Sequence, residues 1–569
     1  MKTVSPYWMT IFILLINLFS FDNTHAQVKV IFDTDGQVDP GEIPTQFTVY
    51  QFPHHELSKA QQEEAAVTAH YQEILNQLGT SSEWGRVGIA LTFQYTAWVT
   101  GTGPNNFQLS TYFPPLYDTL VKVAYNMGIP LMIIFNGSTW SAPEGAFNEY
   151  WKTRDGGKYL MRYKDGQVNQ DISITTNTIP ASTLSNYLSN WGYMNAHNAL
   201  ILTNSPYATD LMESRLNILD LALDMFVGLD NQYPGVIQSL SADGEVCNFS
   251  FRIKPPYGKR IPLGYEDFYV DPFVSEYGVD EGTYFATERF TYETDEELMW
   301  YNFRSECHRQ YIAASVAAIK NRFPNTPIYT HQILQHDDDL VTKDGFDFAS
   351  PQRSALVPDA YPGYSVYVMW GTGQIQHDGY HVMEACAQAA SKAQNYGASM
   401  WGALEFNPGR GNYPGSKTDL ADYTYDWLSY LYSLNCRVVC PLSWISNVLD
   451  TGISGSGMDD GIKRFIQQGP SGTVPTPPPG PTPNTYNLTN YPNPFNPSTT
   501  INYSIPANSK VKLMVYNTLG KEVAILVNEE KSPGSYTVNF DGSELSSGVY
   551  LYTLTTSTQV ITQKMLLIK

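Results

Sequence analysis

Two segments of the chain end in carboxylates after apolar runs. Residues 236–245 read Val-Ile-Gln-Ser-Leu-Ser-Ala-Asp-Gly-Glu and end with Asp243 and Glu245, and residues 398–405 read Ala-Ser-Met-Trp-Gly-Ala-Leu-Glu and end with Glu405. Both runs predict short buried strands that present a carboxylate where the strand ends. Two opposed carboxylates can cleave a glycosidic bond, because one protonates the leaving oxygen while the other attacks the sugar or activates water.

Other side chains that could contact a sugar lie at or just past the ends of predicted strands. His331 ends a strand at 328–331, where it could hydrogen-bond a sugar hydroxyl or the attacking carboxylate, or be a satisfied structural histidine. Flat indole rings suit stacking on sugars, although each could equally pack at a rim. The candidate stacking residues are Trp98, Trp140, Trp370 and Trp401.

Other reaction classes lack their motifs. The chain has no Gly-x-Ser-x-Gly elbow for a nucleophilic serine and no His-Glu-x-x-His pair for a zinc protease. Cys436 and Cys440 have the spacing of a metal pair, but no second Cys/His pair has zinc-site spacing and two valines lie between them. No metal and no cofactor is therefore predicted.

The carboxylates need a scaffold, and the chain alternates strand and helix signals eight times. Strands that are mostly each followed by an amphipathic helix predict a (β/α)8 TIM-type barrel, an α/β fold in which all strands are parallel. An open doubly wound sheet stays possible, but no Gly-rich phosphate loop follows the first strand. The predicted strands are 47–52, 87–93, 131–135, 236–245, 328–331, 364–370, 398–405 and 437–442.

The net charge and the N-terminal segment limit which partners and which cellular location are expected for the protein. A formal net charge of −21 over 569 residues repels nucleic acid and anionic membrane surfaces, so neither is an expected partner. Lys2, an apolar run from Trp8 to Phe21 and the small-residue end at Ala26 have the order of a secretory signal peptide, predicted at residues 1–26. No second apolar run is long enough for a membrane span, so a soluble mature protein is expected.

A change in composition marks a second domain. Residues 469–484 are rich in proline, glycine and threonine, which predicts an extended linker between a barrel domain at 27–468 and a C-terminal domain at 485–569. Short alternating runs separated by turn residues fill that last segment. They predict a small all-β, immunoglobulin-like sandwich.

The C-terminal segment resembles the type A sorting domain of the type IX secretion system. The resemblance lies in Tyr-Pro-Asn-Pro-Phe-Asn-Pro at 491–497, Val-Tyr-Asn-x-x-Gly at 515–520, Ser-Gly-Val-Tyr at 547–550 and Lys-Met-Leu-Leu-Ile-Lys at 564–569. It implies that this domain is an address read by the type IX secretion machinery, that the barrel is the cargo, and that the protein is secreted or held at the cell surface.

The barrel resembles clan A glycoside hydrolases. In that clan an acid/base glutamate ends the fourth strand and a nucleophilic glutamate ends the seventh, which implies acid/base Glu245 and nucleophile Glu405 and a retaining reaction. The clan usually has asparagine before the acid/base, and here the residue is Gly244. The 242–245 segment is similar to β-amylase-like barrels, which invert, so the stereochemistry stays open.

Alternatives remain for the fourth strand and for the whole function. Asp243 could be the acid itself, or could orient the acid from beside it. The favoured function is hydrolysis of an oligo- or polysaccharide by a secreted glycosidase. The alternative is a non-catalytic surface protein that binds glycan or forms an extracellular structure on a degenerate barrel.

Overall fold

The structure of the chain is a computed structural model. It describes residues 47–51, 64–79, 81–96, 98–104, 106–137, 146–162, 202–244, 253–254, 259–260, 264–285, 295–334, 355–370, 379–411, 413–442, 452–471, 486–491, 495, 497–518, 520–531 and 534–567.

Eight of the described strands form a closed, all-parallel barrel. Neighbours along the chain are neighbours in the barrel, and the eighth strand closes the ring by pairing with the first at Thr48–Val438 and Val49–Val439. The predicted barrel is therefore confirmed. Its strands are β1 Phe47–Gln51, β2 Gly85–Phe93, β3 Leu131–Phe135, β4 Ile237–Gly244, β5 Ile328–Ile333, β6 Gly363–Trp370, β7 Trp401–Gly411 and β8 Cys436–Pro441.

Helices of the described residues pack outside the strands. The sequence explains their limits locally: Gly128 takes a left-handed conformation that ends α2, and Ser416 with Asp419 forms a capping box that begins α9. The helices are α1 Glu64–Leu78, α2 Phe113–Met127, α3 Ala146–Thr153, α4 Thr209–Gln232, α5 Asp267–Tyr277, α6 Glu281–Tyr284, α7 Asp295–Arg322, α8 Gly379–Asn395, α9 Lys417–Ser433 and α10 Met458–Gln468.

Two separate apolar layers follow from the alternation of side chains along the strands. Outward-facing residues such as Ile133 and Val366 join the helices in one large core. Inward-facing residues such as Met132 and Tyr329 form a smaller core inside the barrel. The barrel is therefore a filled cylinder, and any site must lie above its packed interior.

The C-terminal strands form two antiparallel sheets around a core of their own. The three-stranded sheet has the order β9–β10–β13 and the four-stranded sheet the order β12–β11–β14–β15. Alternate residues of β11, including Val511, Leu513 and Val515, are buried between the sheets. The predicted small all-β sandwich is therefore confirmed. Its strands are β9 Asn487–Tyr491, β10 Ser498–Ile505, β11 Ser509–Asn517, β12 Glu522–Lys531, β13 Gly534–Asp541, β14 Gly548–Thr555 and β15 Val560–Leu567.

No helix of the described residues combines the length and the apolar character that crossing a bilayer requires.

Candidate functional site

Three adjacent strands bring a histidine, a serine and a glutamate together. His331 lies on β5, Ser365 on β6 and Glu405 on β7. The Ser365 Oγ atom lies 2.9 Å from Nε2 of His331 and donates to Oε2 of Glu405 over 3.3 Å. The candidate catalytic Glu405 therefore belongs to a hydrogen-bonded row that crosses three strands.

Glu405 lies within its strand, where the sequence predicts a strand end. β7 continues to Gly411, and its pairing with β6 slips by one residue, since Ala403 pairs with Tyr364 while Glu405 pairs with Ser365. Such a bulge reverses which face a side chain occupies. Strict alternation along 398–405 predicts that Trp401, Ala403 and Glu405 share one face. This prediction is wrong, because Trp401 and Ala403 pack in the outer core whereas Glu405 meets Ser365.

The continuation of β7 is held by polar side chains that the sequence did not single out. The Asn407 amide donates to the Leu442 carbonyl over 2.7 Å, and its carbonyl oxygen accepts from the Gly409 backbone N–H over 3.1 Å. The first bond ties the irregular part of β7 to the residue that follows β8, and the second holds the backbone within β7. They fix the backbone on the C-terminal side of Glu405.

His331 is neutral at ordinary pH. Its side chain is 4% exposed, and burial lowers its pKa from 6.5 to about 4. An ionised Glu405 can only accept, so Ser365 gives its one hydroxyl proton to Glu405, and the hydrogen between Ser365 and His331 must then be carried by Nε2. The geometry thus assigns the Nε2–H tautomer to His331.

Below this row the barrel interior is apolar. Met132, Tyr329, Leu404 and Val438 form the inner core. A Cβ atom on Gly363 would come 2.1 Å from the Thr330 carbonyl oxygen, so only glycine permits this close approach of β6 to β5. The row of His331, Ser365 and Glu405 therefore lies above closely packed apolar residues of the barrel interior.

The Cys440 thiol of β8 also faces this region. It lies 3.7 Å from the Met132 sulfur, and its pKa is raised well above 9, by burial first and then by the charges of Cys436 and Glu405. It is therefore a neutral thiol. Among the described residues, no group of three or more His, Cys, Asp or Glu side chains is placed to hold a metal ion.

The other candidate carboxylates lie on or just after β4. Gly244 pairs with His331, so the residue before Glu245 lies on the strand next to the polar row. Asp243 belongs to β4, while its side chain and the whole of Glu245 lie outside the described residues. The Ser241 hydroxyl is buried on β4 and has no hydrogen-bond partner among the described residues.

The candidate tryptophans divide into different environments. Trp401 is 1% exposed and its indole N–H donates to the Leu434 carbonyl over 2.7 Å, so its rings are core and cannot stack on a substrate, which corrects the prediction. Trp98 is half-buried, and one face is covered by Phe113, with ring centroids 4.2 Å apart. Trp370 ends β6 with its side chain undescribed, and Trp140 lies outside the described residues.

Ser365 is the residue of this site that the sequence analysis missed. Its signal was present, because alternation along 364–370 places Tyr364, Val366 and Val368 on one face and leaves Ser365 on the other. A serine among tyrosines and valines near the start of a predicted barrel strand is a small polar group on the inward face.

Comparison with known families assigns the C-terminal domain. Residues 489–569 match the family model described as the secretion system C-terminal sorting domain. This confirms the resemblance predicted from the C-terminal motifs. A sorting domain implies export and a location at the cell surface or outside the cell. No curated protein matches the chain.

Solved structures give only distant matches. The endo-β-1,4-mannanase from Thermotoga petrophila is 9% identical with a TM-score of 0.40, over 93% of this chain and 98% of that protein. The β-galactosidase from Bacillus circulans sp. alkalophilus is 11% identical with a TM-score of 0.44, over 75% of this chain and 57% of that protein. At these values the function has to be argued from the residues of this chain.

Proposed function

We propose that the protein is a secreted glycosidase that cleaves an oligo- or polysaccharide with two carboxylates, Glu405 and Glu245. In this proposal residues 1–26 are a signal peptide and residues 27–468 the catalytic barrel. Residues 469–484 are a linker, and residues 485–569 are the domain read by the type IX secretion machinery. The substrate is expected to be neutral or cationic, given the net charge of −21.

The observation that carries the proposal is the placement of Glu405. Its carboxylate is partly exposed on β7 and accepts a hydrogen bond from a serine that is itself backed by a buried histidine. A strand in a closed barrel holds such a group rigidly, as displacement at an anomeric carbon requires.

The position of β4 supports Glu245 as the second carboxylate. β5 separates β4 from β6 in the barrel, and Gly244 pairs with His331. Glu245 directly follows the end of β4 and Glu405 is on β7, so a sugar bound at this mouth would have one carboxylate on each side. Glu245 would protonate the leaving oxygen and Glu405 would attack; with Glu405 as nucleophile the reaction retains configuration.

The test compares Glu405→Gln and Glu245→Gln with the parent protein on a panel of glycans. We expect kcat/KM to fall by about 10³-fold or more in each, because each variant lacks a group that acts in the bond-breaking step. Glu213→Gln is the control, since Glu213 is exposed on α4. Unchanged hydrolysis in Glu405→Gln would overturn the assignment.

The stereochemistry is decided by a second measurement on the same variants. Azide added to Glu405→Ala should restore turnover and give a glycosyl azide if Glu405 is the nucleophile of a retaining reaction. Glycan binding by the parent without hydrolysis would favour the non-catalytic surface protein instead.

A further inference from the structure

We propose that Ser365 is a positioning residue that holds Glu405 as an ionised carboxylate, with His331 as the fixed donor behind the serine. The inference rests on the proposed glycosidase function and assigns the roles of its two carboxylates. Ser365 is 2% exposed and lies on β6 between the two strands that carry its partners. Bulk water therefore cannot take the place of this hydroxyl beside Glu405 unless the barrel wall moves.

The hydrogen-bond chain has one direction. With Glu405 ionised, Ser365 donates to Glu405, and His331 then donates from Nε2 to Ser365. If Ser365 instead donated to Nε2 of His331, its lone pairs would face those of an ionised Glu405, so the reversed row requires a protonated Glu405. The buried, neutral imidazole therefore orients the hydroxyl towards the carboxylate.

Two described titratable groups beside Glu405 are uncharged, so neither alters the effect of the Ser365 hydrogen bond on the carboxylate. From β5 the titratable group is His331, which is neutral because burial lowers its pKa to about 4. From β8 it is the Cys440 thiol, which is neutral because burial raises its pKa. The Ser365 hydroxyl therefore donates a hydrogen bond to Glu405 beside two side chains that are both uncharged.

The consequence is a division of roles between the carboxylates. A hydrogen bond donated to the charged form of a carboxyl group favours that form. The attacking group of a glycosidase must be ionised, whereas the acid must keep its proton near neutral pH. The Ser365 bond suits Glu405 for attack, which leaves the proton-donor role to Glu245 after β4.

The first experiment measures the pH profile of kcat/KM for Ser365→Ala, Ser365→Thr and Ser429→Ala in the full chain. Ser365→Ala should lose about tenfold in kcat/KM and move the acidic limb up by about one pH unit, since it loses a hydrogen bond to a charged group. Ser365→Thr keeps the hydroxyl and should show the same acidic limb of the pH profile as the parent protein. Ser429 is the matched control, a 3% exposed serine on α9 whose hydroxyl donates to Tyr425.

The second experiment needs no substrate. In ¹⁵N spectra of histidine-labelled protein, the His331 ring should be the neutral Nε2–H tautomer from about pH 5 to 8 and should not titrate there. The signal is assigned by its loss in His331→Gln. Ser365→Ala should shift the Nε2 resonance, whereas Ser429→Ala should leave it unchanged.

The outcomes separate this inference from the proposed function. A Glu405→Gln variant that loses activity while Ser365→Ala keeps the parent's pH profile would overturn the role of Ser365 alone. If the parent protein hydrolyses no glycan, the proposed function is overturned. The ¹⁵N spectra would then still test the hydrogen-bonded row of His331, Ser365 and Glu405. An Nδ1–H tautomer, or a resonance indifferent to Ser365→Ala, would overturn the hydrogen-bond chain itself.

Discussion

The barrel and the sandwich differ in what they bury. Among the described residues, every buried Arg, His, Asp or Glu belongs to the barrel segment of the chain, and the sandwich buries only hydroxyl-bearing polar residues such as Thr499 and Ser509. Burying a charged group costs free energy unless it is paired or hydrogen-bonded. The barrel therefore carries groups that a purely structural core would lack, while the sandwich has the composition of a self-contained module.

The two cores are also separate. The buried cluster of the sandwich, which includes Leu513 and Met565, contains no barrel residue, and the large barrel cluster contains no sandwich residue. A module with its own core can be recognised through its surface without any change at the active site of its neighbour. The family match makes the sandwich a sorting domain, and its separate core makes it structurally independent of the barrel. Four experiments test this contrast between the two domains.

The largest effect is expected from removing residues 485–569. The truncated protein should no longer reach the medium or the cell surface, because the sorting domain is gone. Since the barrel core stays whole, kcat/KM measured on protein from cell extracts should remain within about twofold of the parent, as expected for independent units. Normal export of the truncated chain, or an inactive barrel, would contradict the separation.

A cavity in the sandwich core should destabilise the sandwich alone. Leu513→Ala removes a fully buried side chain and should lower the free energy of unfolding of this domain by about 2 to 5 kcal/mol. Ile525→Ala, at a position 51% exposed, should change it by less than about 0.5 kcal/mol. In denaturant unfolding, the transition of the sandwich domain should move to lower denaturant concentration in Leu513→Ala. In the activity assay, kcat/KM should stay at the value of the parent protein. A parallel loss of activity would mean that the two cores are coupled.

Glu266 makes the stability of the barrel segment depend on pH. Its side chain is 1% exposed, accepts from the Arg162 backbone N–H over 3.1 Å, and has a pKa raised from 4.5 to about 7, by burial above all. The folded protein holds this proton between about pH 4.5 and 7 while the unfolded chain releases it. Its contribution to stability is therefore present below pH 4.5 and is lost as pH rises towards 7, on the order of 3 kcal/mol.

Glu266→Gln tests this dependence, because the amide keeps an acceptor for Arg162 and cannot ionise. The variant should flatten the fall of the unfolding free energy between pH 4.5 and 7 and should be the more stable protein above pH 7. Thermal unfolding between pH 4 and 8 measures both, with Glu213→Gln on the exposed face of α4 as the control. A variant with the parent's slope would show that Glu266 is ionised in the fold.

The smallest effect is expected from Trp401→Phe. The variant loses the hydrogen bond to Leu434 and part of the ring volume, which should cost about 1 to 2 kcal/mol of stability. KM should be unchanged, because the ring lies in the core between strand and helix layers. A large rise in KM with unchanged stability would place Trp401 at the substrate after all.

Much of the scaffold could be predicted because its signals are local. The stripe of Val67, Tyr71, Ile74 and Leu78 marks α1 and is buried as the periodicity requires. The uninterrupted apolar run at 131–135 became β3, buried at every position. Each of the eight predicted barrel strands overlaps an observed one, since burial on both faces of a parallel sheet leaves a readable apolar run.

The candidate site was only partly predictable, because its geometry depends on one irregular pairing. Alternation along an ideal strand put Glu405 on the face of Trp401, and the one-residue slip against Ser365 put it on the other. A bulge is set by the fit between two strands and leaves no mark in either sequence by itself. Ser365 did have a local signal, its place on the inward face of 364–370, but its role depends on His331 and Glu405 from the two neighbouring strands.

The amino-acid sequence alone determined the strand and helix order, the two-domain plan and the export motifs, because these depend on periodicity, composition and short contiguous segments. Only the tertiary structure decided that His331, Ser365 and Glu405 form one hydrogen-bonded row and that Trp401 is core. The reason is physical. Hydrogen bonds between strands far apart in sequence depend on register and burial, and both are set when the barrel closes.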